Sequence, residues 1–131
     1  MCFYIDQKAK RPSDTVVFKV LQRKRWGRGQ TWSGPYYSNL AYLPGKVIVA
    51  RPLEGGKGRI QPFDGDSSYE GIYVFDTEAN ARNYAATVGS DVAIATLKVN
   101  PRSWIATANS VGIKKGSRTY RRAKVISIEE I

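Results

Sequence analysis

No histidine occurs anywhere in this 131-residue chain, and cysteine and methionine occur once each. The missing histidine excludes hydrolytic nucleophiles of the Ser–His and Cys–His type, because these depend on an imidazole that accepts a proton near neutral pH. With Cys2 as the lone thiol, neither an internal disulfide nor the usual cysteine–histidine zinc site can be assembled, and a reducing compartment fits. Long apolar runs are missing too. Nothing approaches the ~20 residues of a membrane-spanning helix, the mean hydropathy is −0.39, and the opening MCFYIDQKAKRP is too short and too polar for a signal peptide. A cytoplasmic location with no membrane partner is expected. What the chain does have is 42% hydrophobic residues over a length usual for one domain. That suffices to bury about two-thirds of the surface of the unfolded chain, so residues 1–131 are expected to form a single domain.

Acidic residues are the next scarcity: 11 Asp and Glu stand against 21 Lys and Arg, a net charge of +10. The excess is unevenly placed. Residues 1–52 carry ten cations against Asp6 and Asp14, giving +8; residues 53–100 carry four against seven anions, giving −3; residues 101–131 carry seven against Glu129 and Glu130, giving +5. Two basic ends around an acidic middle attract polyanions, so nucleic acid is the expected partner, with an acidic protein as the alternative.

Periodicity predicts an α+β fold: a mainly antiparallel, curved sheet of five to six strands with one principal helix over about 76–88. Residues 15–22 are apolar and β-branched on both parities, as in a central strand covered on both faces. Residues 46–50, 71–75, 91–100, 104–108 and 120–128 read as the other strands. In the helix, Asp76 or Thr77 suits the N-cap, Glu78 the positive end and Gly89 the left-handed stop, while Ala81, Tyr84, Ala85 and Val88 make one apolar stripe. Residues 23–44 read as an exposed loop broken by glycine and proline, and 54–70 as another.

Two basic clusters are the candidate nucleic-acid-binding residues. In the first loop, Arg23, Lys24, Arg25 and Arg28 alternate with Trp26 and Trp32, the combination that holds single strands by backbone charge and base stacking. Near the C-terminus stand Lys114, Lys115, Arg118, Arg121, Arg122 and Lys124, with Arg122 and Lys124 expected on one face of a strand. The run GGKGR at 55–59 resembles a phosphate cradle in composition but lacks the following Ser or Thr and a helix start. The run DGDSSYE at 64–70 has alternating oxygens without the flanking helices of a calcium loop. Neither a metal nor a cofactor is expected.

Met1-Cys2, VFKVL at 17–21, GPYY at 34–37, YLPGK at 42–46, GIYVF at 71–75 and AKVI at 123–126 together resemble small uncharacterised proteins common in phages and prophages. Where such proteins often carry histidine after the glycine–aromatic pair of the middle strand, this chain has Tyr73 and Val74. The resemblance implies a phage-type accessory protein in a host cytoplasm, with interference in host defence as its setting. Three other functions fit single features. Removal of Met1 would make Cys2 an aminothiol able to attack the aldehyde of an abasic site, so Cys2 is the catalytic candidate; as a buried small hydrophobe it would be structural. An ADP-ribosyltransferase-like site would need Glu70, Glu129 and Arg122 to converge. A protein-binding inhibitor of a host factor would use the aromatic loop as its anchor.

Overall fold

In the computed structural model the described residues are 6, 8–26, 29–34, 41–50, 71–108 and 115–131. They form strands β1 (Val16–Trp26), β2 (Gly29–Ser33), β3 (Val47–Val49) and β4 (Ile72–Phe75), helix α1 (Glu78–Val88), β5 (Val92–Lys98), a 3₁₀ turn (Pro101–Ser103), β6 (Trp104–Thr107), β7 (Ser117–Tyr120) and β8 (Arg122–Glu130). All eight strands belong to one unclosed antiparallel sheet of order β3-β8-β5-β1-β4-β7-β6, with β2 paired to β1 outside that path. The α+β class and the single principal helix expected from the sequence are therefore observed, with eight strands in place of five or six.

The two additional strands come from segments whose residues look unlike strands. β1 runs past Gln22 through the basic run to Trp26, and β2 returns antiparallel with Arg23 opposite Trp32 and Trp26 opposite Gly29. Strand residence here is decided by cross-strand partners rather than by propensity, which for strands is strongly context-dependent. β7, SRTY, is polar in composition but is held between β4 and β6. The expectation that 23–44 forms one exposed loop is thus corrected over 23–26 and 29–33.

Partners directly opposite in an antiparallel pair project to the same face, so the registers divide the sheet into two sides. One side carries Val17, Leu21, Ile72, Val74, Ala95, Leu97, Tyr120, Ala123 and Val125, buried in one cluster with Tyr42 and Ile48. On the other side Val20, Phe75, Val92 and Ile94 pack against Ala81, Tyr84 and Ala85 of α1. That helix starts where its sequence requires: the Thr77 hydroxyl accepts from the Asn80 amide at 3.2 Å, and Gly89, at φ +116°, follows its last turn. Gly116 is needed for a second reason. Its φ is +79°, its carbonyl accepts from the Asp76 amide at 2.9 Å, and a Cβ there would lie 2.6 Å from Asn80 Nδ2.

α1 packs mainly on β1, β5 and β4. The same side of the sheet at its β8 and β3 end is exposed, with Val47 at 46% and Val49 at 50%.

Candidate nucleic-acid interface

Along β8, burial alternates: Ala123 and Val125 point into the core, which forces Arg122 and Lys124 to the opposite, exposed face. The register carries that face across the sheet. Val47 of β3 lies opposite Lys124, Lys124 lies opposite Lys98 of β5, and Lys98 lies opposite Val16 of β1; Val49 pairs with Arg122 one step along. Two lysines directly opposed repel each other, and no ion pair joins Lys98, Arg122 or Lys124 to a described residue. These three cations and Thr15, Val47 and Pro101 border a groove of ≈ 570 Å³ between the ends of β5 and β8 and the 3₁₀ turn. Asn100 caps this turn by accepting from the Arg102 amide at 2.9 Å, and the Ser103 hydroxyl donates to the Asn100 carbonyl at 2.7 Å.

The candidates from the sequence fall into three groups. Arg122 and Lys124 share the exposed face, as expected from their spacing, while Arg121 and Lys115 are exposed on turns flanking β7. Arg23 and Arg118 are engaged inside the molecule. Arg23 lies on the core side of β1, ion-paired with Glu130, its guanidinium 4.7 Å from the ring centre of Trp32. Trp32 is itself half-buried against the core cluster, so one face of this ring is occupied by a cation. Arg118, also on the core side, donates to Asp14 at 2.7 Å and ties the segment before β1 to β7. Burial alone would lower its pKa, but the Asp14 carboxylate and the Tyr120 phenol together raise it, so its charge is fixed. Burial correspondingly raises Tyr120. The third group, Cys2, Arg28 and Lys114, lies outside the described residues, as do the runs 55–59 and 64–70; for Lys24, Arg25 and Trp26 only the backbone is described.

Of the three residues an ADP-ribosyltransferase-like site would bring together, the structure describes two. Arg122 and Glu129 are seven residues apart on β8, about 23 Å in an extended strand, and Glu70 is outside the described residues.

Two further cations matter that local sequence pattern does not single out. Lys98 is the exposed last residue of a mostly buried strand and is brought against Lys124 only by the β5–β8 register. Lys19, in the central strand, is only 8% exposed; it sits on the core side, donates to the Tyr73 carbonyl at 2.9 Å and lies 5.9 Å from the centre of the Tyr42 ring. Burial lowers its pKa to about 8. No helix among the described residues is long and apolar enough to cross a membrane. Comparison with known proteins finds no family model, no curated protein and no solved structure that matches this chain.

Proposed function

We propose that the protein binds nucleic acid through the open end of the helix-side sheet face, with Lys98, Arg122 and Lys124 on the phosphates. The observation that carries this reading is the Lys98–Lys124 pair: two like charges held face to face, with no counter-ion among the described residues. Such a pair costs stability in the free protein, and an external polyanion removes the cost. The basic ends of the chain, +8 and +5 by segment, enlarge the attraction. Contacts of this kind position a strand without reading its sequence. With one face of Trp32 occupied by Arg23, the charges carry the affinity in this proposal and base stacking on that ring is secondary. The setting is the accessory role that the resemblance to phage and prophage proteins implies.

Binding of a fluorescent oligonucleotide, followed by anisotropy at several salt concentrations, tests the proposal. The expected log–log plot falls steeply, and each of Lys98→Glu and Lys124→Glu lowers its slope by about one contact. An unchanged slope in the double variant, or a flat plot for the parent protein, rejects it. A second reading rests on the exposed valines beside these cations, Val16, Val47 and Val49, which suit an acidic, partly apolar protein surface. It predicts no oligonucleotide binding at low salt.

A further inference from the structure

We infer that the groove between β5, the 3₁₀ turn and β8 is a single-nucleotide seat, in which one phosphate sits among Lys98, Arg122 and Lys124 while its sugar and base lie against Val47 and Pro101. This rests on the nucleic-acid reading above and goes beyond it, because scattered surface charge would not provide a site for one unit of the strand. Three features of the groove support the assignment.

Its volume, ≈ 570 Å³, is large enough to take a small organic ligand in an open groove. Its charges stand on one side. Lys98 and Lys124 are cross-strand neighbours, and Arg122 is two residues from Lys124 on the same face of β8, so the three cationic side chains rise from adjacent strands on one face. Apolar residues share the lining: Val47 projects beside Lys124 and is 46% exposed, and Pro101 borders the groove with it.

The lining also shows what the groove does not recognise. Among the described residues no carboxylate borders it, the Asn100 side-chain oxygen accepts from the Arg102 amide, and the Ser103 hydroxyl donates to the Asn100 carbonyl. The charged groups of the groove are all cations that address the phosphate, so the seat takes a phosphate carrying a flat body and its affinity is set by that phosphate rather than by the base. An internal phosphodiester and a terminal phosphomonoester both supply this chemistry.

The test is titration of the ¹⁵N-labelled protein with AMP, CMP, GMP and UMP, with adenosine and inorganic phosphate as controls, read by amide shifts. All four nucleotides are expected to shift Lys98, Val99, Ala123 and Lys124 with affinities within about threefold of one another, a spread of less than 1 kcal/mol. Adenosine should shift none of these amides, and inorganic phosphate should bind more weakly than AMP. Lys98→Glu should weaken AMP by about tenfold or more, as expected for a lost charge-assisted contact. Val47→Glu, which keeps all three cations but places a carboxylate on an exposed wall position, should do the same. Both substitutions are at exposed sites, and an unchanged amide spectrum outside the groove confirms folding. A 5′-phosphorylated oligonucleotide that binds better than its unphosphorylated form assigns the seat to strand ends, and equal binding assigns it to internal phosphates. Groove amides that respond equally to adenosine and AMP overturn the phosphate assignment. Absence of AMP shifts, with oligonucleotide binding present and abolished by the Lys98→Glu and Lys124→Glu pair, overturns the seat while leaving nucleic-acid binding in place. Failure of the parent protein to bind any oligonucleotide at low salt rejects both.

Discussion

Replacing Lys19 by methionine is expected to stabilise the protein at neutral pH, against the usual effect of a core substitution. The ammonium is held on the core side of β1 directly opposite Ala95, with one hydrogen bond, to the Tyr73 carbonyl, and no carboxylate partner among the described residues. Burial takes its pKa from 10.5 to about 8; at 1.36 kcal/mol per unit this is about 3 kcal/mol by which the folded state disfavours the charged form. Methionine has similar length, adapts to an irregular space and brings no charge. It leaves the Tyr73 carbonyl without this donor and the Tyr42 ring without the cation beside it, which costs about 1–3 kcal/mol, so a net gain of up to about 2 kcal/mol remains at pH 7. The pH dependence gives an independent reading. A lowered folded pKa means that between pH 8 and 10.5 the unfolded chain binds more protons than the folded one, so this group makes stability rise with pH across that window. Tyr42 and Tyr120, raised by burial, act in the opposite sense once unfolded tyrosine ionises near pH 10. Their contribution cancels in the difference between parent and variant. Urea unfolding followed by tryptophan fluorescence at pH 7, 8, 9 and 9.5 should show the variant's advantage shrinking as pH rises. A variant that is destabilised at pH 7, with a difference from the parent that does not change with pH, would refute the account of Lys19 as an uncompensated buried cation.

Other substitutions test the frame that positions the site. Gly116→Ala should destabilise by about 1–3 kcal/mol, since alanine at φ +79° is strained and its methyl would meet the Asp76 and Asn80 side chains; a melting temperature within a degree of the parent would contradict the close approach. Thr77→Ala should remove about 1 kcal/mol by leaving the Asn80 amide without its cap, while Thr77→Asp, measured in parallel, should keep most of it. Leu97→Ala, at a position with no exposed surface, should cost about 2–5 kcal/mol in chemical denaturation, and a loss below 1 kcal/mol would mean that the β5 register is wrong.

Much of the frame was legible because local signals agreed with one another. The helix carried its cap, its acidic first turn, its apolar stripe and its terminal glycine within 14 residues, and the structure realises Thr77 as the cap and buries Ala81, Tyr84 and Ala85. The central position of β1 followed from residues apolar on both parities. The β1–β2 hairpin was hidden because its stabilising partners are remote from the local sequence pattern: Arg23 and Lys24 read as loop until Trp32 and Thr31 are placed opposite them. β7 was missed for the same reason, as its Ser, Arg and Thr acquire strand character only between β4 and β6.

The cations divide along a line that sequence shows for one strand and conceals for another. In the first half of β8, Ala123 and Val125 alternate with Arg122 and Lys124, so only the apolar parity can face a core there and the two cations point outward; past the register shift the core side passes to Ile128. In β1 both parities are apolar, and the pattern does not say on which side Lys19 and Arg23 fall. The register with β5 and β2 decides it, placing Lys19 opposite Ala95 and Arg23 opposite Trp32 on the core side. A cation on a strand with one apolar parity can therefore be assigned to solvent from sequence, whereas a cation on a doubly covered strand is as apt to be internal. The N-terminal segment carries +8, yet its Lys19 and Arg23 are engaged within the molecule, whereas the lysine pair on the open face, with no ion-pair partner among the described residues, is formed by Lys98 and Lys124, whose meeting depends on a register that neither segment encodes alone.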